Sequence, residues 1–378
     1  MMSLVRRLLS FVRRVNRKRL FQRRVRKVQK ADLTSRARRL APNQIQSVLL
    51  IDAQGGWGDS LYVMGLIRAL AQAGKTVCIA TLPNIKNRYQ TEGVTAVFDL
   101  SESISRDKCA STKYDIAVDT TYVSLLAWDL RSQLLQKLEC YAVACGDVER
   151  HSNLYDEYLD LSRRPHQSER MALICNRILM REGQLDAILP YFSLDEEKAP
   201  ETLSFFQALP QGRQFVYING LAREKDRCFS TEQMLAIKSE IEKRSDCVGI
   251  FLSAEPIEES SVFKALPHFS YQAFAQVLES CCCVVSVDTS AVHLASALGI
   301  PTLAFFCGND RDHYPQYRME DVWRPLAEGS ESFSDNDDPS ATASLFYQPK
   351  LKDVSAIPVE IIRRRTADFL ERRLTLNA

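Results

Sequence analysis

The 378-residue chain lacks several features that would assign it to a class at once. No apolar run approaches the roughly 18 residues that a membrane-spanning helix needs, so the chain is not expected to be integral to a bilayer. There is no CxxC pair and no His/Cys cluster at zinc spacing. The eleven cysteines are an odd number, scattered from Cys78 to Cys307, which argues against a disulfide framework and for a reducing, cytoplasmic setting. Cys281, Cys282 and Cys283 open an apolar stretch, where thiols act as small hydrophobes. The GxGxxG spacing of a dinucleotide fingerprint is missing, as is an acid at the end of the second strand. One ordinary core is too small for this length, so two domains of about 150 residues each are expected. With 46% hydrophobic and 25% charged residues, the composition is that of a globular protein.

The net charge of +2 hides an asymmetry. Residues 1–40 hold fifteen Lys or Arg and one acid, Asp32, a balance of +14 that leaves −12 on the rest of the chain. Leu4, Leu8, Phe11 and Val15 recur at helical spacing among Arg6, Arg7, Arg13, Arg14 and Arg17, the pattern of a basic amphipathic helix. Such an arm, over residues 1–30, suits an anionic membrane surface, where each cation contributes about 1 kcal/mol. Arg13 and Arg14 break the apolar segment and no small-residue cleavage site follows, so a secretory signal is not expected. Nucleic acid is the rival partner for an arginine-rich arm. Because phosphate neutralisation needs no apolar stripe, the membrane is preferred and no nucleic acid is expected.

After Pro42 strands and helices alternate, the signature of doubly wound parallel sheets. The first half reads as strand 48–51, a Gly-rich turn, helix 60–73, strands 77–81, 96–100 and 116–119, and helix 124–138. Residues 141–195 read as mostly helical, with 170–181 the clearest helix, and Pro200 and Pro210 bracket a connector. The second half reads as strand 215–219, helix 231–243, strand 248–252, helix 271–280, strand 284–287, helix 291–298 and strand 302–306. Residues 328–343 read as a polar loop with a lid as the alternative, and Pro358 opens a last helix. The corresponding domains are an arm over 1–42, Rossmann-like domains over 43–205 and 206–356, and a helix over 357–378, with an active site in a cleft between the two halves.

Three motifs carry chemistry. In the first, Asp288, Thr289, Ser290 and His293 interrupt an apolar run at a strand's C-terminal end, where open sheets bind ligands. Thr289 and Ser290 are good helix caps, and the free N–H groups of the following helix would stabilise a phosphate. The second is GGWGDS, where Gly56, Trp57 and Gly58 lead to Asp59, whose simplest alternative role is a helix cap. The third follows Asn219, where Gly220 lets the chain turn. Its Arg223, Lys225 and Arg227 present three cations with only Glu224 and Asp226 nearby to neutralise them, which suits a diphosphate leaving group.

In this order the motifs resemble glycosyltransferase family 9, the heptosyltransferases of lipopolysaccharide core assembly. Gly58-Asp59 matches the family's Gly-Asp pair, Arg227-Cys228-Phe229 its basic residue before an aromatic, and Asp288-Thr289-Ser290-Ala291-Val292-His293-Leu294 its Asp-Thr-Gly-x-x-His-Leu. Lys113–Asp119 resembles one of its N-terminal strands. The chain departs from the family at Arg227-Cys228-Phe229-Ser230, where Lys-x-Trp-Pro is usual, and at Ser290 in place of Gly. The resemblance, over about residues 45–310, implies a GT-B fold of two facing Rossmann-like domains. It also implies inverting, metal-independent sugar transfer with no cofactor, from an ADP-sugar to a lipid-linked glycan at the inner face of the inner membrane.

By that resemblance Asp59 would be the general base, with Asp119 or His293 as substitutes. Asn219, Gly220, Lys225, Arg227, Asp288, Thr289, Ser290 and His293 would bind the donor. Gly56, Trp57, Gly58, Arg163 and Arg164 would meet the acceptor, with Arg170 a further candidate. Heptose is the favoured sugar; another sugar or acceptor, a nucleotide-sugar epimerase, and a noncatalytic adaptor are the alternatives.

Overall fold

The computed structural model describes residues 22–23, 25–26, 29, 39–54, 56–89, 93–121, 126–146, 152–161, 166–180, 185–307, 319–333 and 353–374. The stripe proposed as a membrane helix, Leu4 to Arg17, lies outside them. Two compact units emerge. Unit 1 takes the described residues within 1–55, 67–163 and 172–186, and unit 2 those within 56–66, 164–171 and 187–378.

Unit 1 is built on β1 (Ser47–Asp52), β2 (Thr76–Thr81), β3 (Val94–Asp99), β4 (Ile116–Asp119), β5 (Tyr141–Ala144) and β6 (Glu157–Tyr158). They form one parallel sheet in the order β3-β2-β1-β4-β5-β6. β1 and β4 are apolar runs buried almost throughout, as strands covered on both faces must be. The helices are α1 (Trp57–Gln72), α2 (Pro83–Lys86), α3 (Ser103–Ser111), α4 (Trp128–Lys137) and α5 (Gln167–Ile178), the first residues of α1 and of α5 counting with unit 2. Leu49, Ile51, Leu134, Leu135 and Trp128 pack in its core, with Val25 half-buried against them.

Unit 2 opens with α6 (Pro200–Gln207) and continues with β7 (Gln214–Asn219), α7 (Thr231–Glu242), β8 (Cys247–Leu252), β9 (Phe263–Ala265) and α8 (Tyr271–Glu279). Then come β10 (Cys283–Val287), α9 (Ser290–Ala297), β11 (Thr302–Phe305), α10 (Met319–Trp323), β12 (Glu331–Phe333) and α11 (Val359–Leu374). Its sheet runs β12-β11-β10-β7-β8-β9, all parallel. Counted from its own first strand, this is the strand order of unit 1, the doubly wound order expected of Rossmann-like sheets. α7 is held by a capping box between Ser230 and Gln233, and Gln233 Nε2 also donates to the carbonyls of Val354 and Ile357, fastening the approach to α11. Ile362, Phe369, Leu370 and Leu374 of α11 complete the core.

Several expectations need correction. α1 begins at Trp57 rather than at residue 60, so Asp59 lies in its first turn instead of preceding it. The region read as mostly helical contains β5 and β6, runs too short for any periodicity to show. The proline-bracketed connector holds α6, for which Pro200 is a first-turn proline. Within the loop read at 328–343, Glu331–Phe333 is a strand paired with β11, and residues 334–343 lie outside those described. Four short elements, α2, α3, β9 and α10, had no counterpart in the sequence reading.

Candidate active site

In unit 2 the sheet changes winding direction between β7 and β10, which pair in register from Val216↔Cys283 to Asn219↔Ser286. Loops leaving the two strands at this switch point open at the same place. These are the cationic loop after Asn219 and the polar elbow after Val287. Asn219 joins them: its Nδ2 donates to Thr289 Oγ1 at 2.8 Å, while its Oδ1 accepts from the Leu221 N–H at 3.3 Å. Thr289 caps α9, accepting from the Ala291 N–H at 3.2 Å. With two donors on its oxygen, the Thr289 hydroxyl keeps its own proton for donation. Ser290 is the first residue of the helix.

The three cations of the loop do not behave alike. Arg223 and Lys225 are exposed, whereas Arg227 Nη1 reaches Asp288 Oδ2 at 3.3 Å, an arginine side chain 41% exposed against an aspartate only 7% exposed. The sequence reading named only Glu224 and Asp226 as neutralisers; Asp288, remote in sequence, is the one that pairs. The loop is closed by one 3-10 turn over Lys225–Arg227 and by the Cys228 thiol donating to the carbonyls of Ala222 and Glu224. Phe229 is anchored against Phe305, with centroids 5.4 Å apart. Gly220 is needed for packing rather than for turning: a Cβ there would lie 2.5 Å from Met234 Sδ.

The first turn of α1 meets the elbow inside unit 2. Gly58 lies against the His293 ring, so that a Cβ would strike the Cδ2 edge and sit 3.2 Å from Nε2. At Gly56 the obstacle is the Asp59 carboxylate, which folds back over the start of the helix. These glycines thus admit protein side chains, where the sequence reading had a ligand in mind. Trp57 stacks on Tyr271 at 3.5 Å between centroids, and Phe192 meets the edge of Tyr271. Two backbone bonds tie the segments of this unit, from Tyr191 N–H to the Leu61 carbonyl and from Ile188 N–H to that of Ser168.

Behind Gly58 lies a buried cluster that sequence reasoning missed. Tyr62, one turn along α1, places its hydroxyl 3.4 Å from His293 Nδ1, and Trp323 tilts over the same imidazole at 5.1 Å. His166 accepts from the Ser168 hydroxyl at 2.7 Å on Nδ1, and its Nε2 donates to the Arg324 carbonyl at 3.1 Å. Burial lowers the pKa of His166 to about 4, opposed by its bond to the Arg324 carbonyl and aided by the charges of Arg324 and Arg170, and burial lowers that of His293 to about 3. Both rings are therefore neutral at pH 7, and His293 is a poor substitute base. Only the spacing of Gly58 and Tyr62 on one helical face hinted at this cluster; nothing in the sequence announced His166 or Trp323.

Among the proposed acceptor residues, Arg163 and Arg164 lie outside those described. Arg170 is fully buried and bonded to Gln167 Oε1 at 3.2 Å, so it is not a surface for acceptor phosphates. Asp119 is buried against Arg131 and Tyr155 in unit 1, which removes it as a substitute base. Among the described residues no group of three or more His, Cys, Asp or Glu could hold a metal ion. No described helix is long and apolar enough to cross a membrane.

Two doubly wound parallel sheets, the second with a cationic loop and a capped helix start at its switch point, make an α/β architecture similar to that of the GT-B heptosyltransferases. Residues 150–337 match the model of glycosyltransferase family 9 (heptosyltransferase), and the chain is similar to the glycosyltransferases of that family. It is 24% identical over 306 residues to an Escherichia coli (strain K12) protein provisionally named lipopolysaccharide heptosyltransferase 4, covering 75% of this chain and 80% of the relative. The fold is shared with the family 9 glycosyl transferase of Veillonella parvula DSM 2008, with TM-score 0.65 and 12% identity over 87% of this chain and 98% of that one. It is shared too with the E. coli ADP-heptose lps heptosyltransferase II, with TM-score 0.62 and 15% identity over 88% and 99%. E. coli heptosyltransferase WaaC, solved with ADP-2-deoxy-2-fluoro heptose, aligns with TM-score 0.58 and 15% identity over 88% and 100%.

Proposed function

We propose that this glycosyltransferase moves a sugar, heptose being favoured, from an ADP-sugar to a lipid-linked glycan such as lipopolysaccharide core, with inversion and without a metal. The observation that carries the reading is the contact of Gly58 with His293, which sets Asp59 of the second motif beside the elbow of the first. In this reading the Asp59 carboxylate takes the proton of an acceptor hydroxyl as that oxygen bonds to the anomeric carbon. The bond from that carbon to the diphosphate oxygen breaks, and negative charge grows on the leaving group. Arg227, Lys225, the Thr289 and Ser290 hydroxyls and the dipole at the start of α9 would stabilise that charge. Trp57 would meet the acceptor, with Gly56 and Gly58 leaving room for Asp59 and His293 beside it. A peripheral position on the inner face of the inner membrane fits an acceptor held there and a basic arm over residues 1–30, with no nucleic acid as partner.

The test is Asp59→Asn. The amide keeps the size and much of the helix-start preference, so folding and ADP-sugar affinity by calorimetry should change little. Loss of a general base slows the chemical step about 10²–10⁴-fold. Full turnover by Asp59→Asn would remove Asp59 from the reaction, and failure to bind ADP-, UDP- or GDP-sugars would overturn the donor assignment.

A further inference from the structure

Tyr62 and His293 form a polar pair inside an otherwise aromatic environment. Tyr62 is fully buried, and burial pushes its phenol far above its ordinary range, so it keeps its proton. A buried O–H needs an acceptor. Among the described residues, the hydrogen-bonding atom within reach is His293 Nδ1, at 3.4 Å. His293 is neutral and carries a single ring proton. With that proton on Nδ1, the phenol hydrogen would be left buried without an acceptor, which is costly. With it on Nε2, the phenol donates to Nδ1 and Nε2–H is turned toward the edge of the ring that lies against Gly58. Tyr62 and Trp323 hold the ring plane, at 5.4 and 5.1 Å.

We propose that Tyr62 is a positioning residue whose hydroxyl holds His293 in the Nε2–H tautomer, so that His293 presents a neutral N–H donor to an oxygen of the nucleotide sugar beside the first turn of α1. The second half of this statement rests on the transferase reading; the tautomer does not. A neutral donor can follow a phosphate or hydroxyl oxygen through the reaction without adding a titrating charge. It also gives α1 two tasks at consecutive turns, since the helix that carries Asp59 sets the histidine too.

The experiment is nitrogen-15 NMR of the full chain labelled in histidine, for wild type and Tyr62→Phe, with calorimetry of ADP-sugar binding on the same samples. The expected result is a His293 signature of the Nε2–H tautomer in wild type, shifting toward a mixture in Tyr62→Phe, whose affinity falls about three- to tenfold. His293→Gln, which can still offer an N–H, should bind more tightly than His293→Leu. An Nδ1–H signature in wild type, which needs no variant to fold, overturns the proposal, as does an unchanged tautomer in Tyr62→Phe. Equal affinity in Gln and Leu variants overturns the role of His293 toward the ligand. A tautomer that shifts as expected in proteins that bind no nucleotide sugar supports the Tyr62–His293 pair and counts against the transferase donor reading instead.

Discussion

Each unit carries an aspartate at the C-terminal end of the fourth strand of its sheet, paired with an arginine, and the two pairs are built for different ends. In unit 1, Asp119 meets Arg131 with both side chains essentially inaccessible. Its carboxylate also accepts from the Tyr155 hydroxyl at 2.5 Å and the Thr121 N–H at 3.1 Å. Arg131 Nε donates to the Leu126 carbonyl, and the guanidinium lies over Trp128. Every edge of that pair is closed. In unit 2, Asp288 follows β10 and meets Arg227 at 3.3 Å, with the arginine two-fifths exposed. A charge held in place yet open on one side can exchange partners with an incoming anion. A charge enclosed on all sides can only stabilise what surrounds it. The same residue types at equivalent topological positions thus separate into scaffold and site by burial alone.

The widest gap between the pairs should appear in stability. Asp119→Ala leaves Arg131 charged and buried, so chemical denaturation should show a loss of about 3–5 kcal/mol, against within about 1 kcal/mol for Arg227→Ala, whose pair is partly solvated. Equal losses would erase the distinction. Ligand affinity should reverse the order: Arg227→Ala is expected to weaken ADP-sugar binding by about 1.5–3 kcal/mol if the contact is charge-assisted, measured by calorimetry on a protein whose melting is nearly unchanged.

Unit 2 has a further liability in its buried neutral histidines. With pKa values lowered to about 4 at His166 and about 3 at His293, their contribution to stability is present above the unfolded pKa of about 6.5 and is lost as pH falls toward the folded values. From pH 7 to 5 the loss is about 2 kcal/mol per histidine, and His166→Asn should flatten the slope by about half. A stability curve level across that interval would mean the rings are not buried neutral. At Gly58→Ala the added methyl meets the His293 ring, at an expected cost of about 1–3 kcal/mol by denaturation. A variant as stable as wild type would show that the ring moves aside freely.

Much of this architecture was legible in the sequence because parallel strands buried on both faces are written as apolar runs. Ile116–Asp119 was read with the bounds the structure has, and α7 and α9 shifted by only a residue or so. The elbow was legible too, since polar residues that end an apolar strand have few other places to go. The two-residue β6 and three-residue β12 carry no pattern of their own and exist because a neighbouring strand offers its edge.

The sequence by itself determined the alternation of strands and helices, the positions of the three motifs and the charge carried by each, because these depend on local spacing and side-chain chemistry. Only the tertiary structure decided that Arg227 takes Asp288 as its partner, that Asp119 and Arg170 are buried, and that Gly58 makes room for a histidine more than two hundred residues away, backed by a tyrosine. Those outcomes turn on which groups long-range strand order brings within hydrogen-bonding distance, and on how much water folding removes from them. Neither quantity is contained in any short stretch of chain.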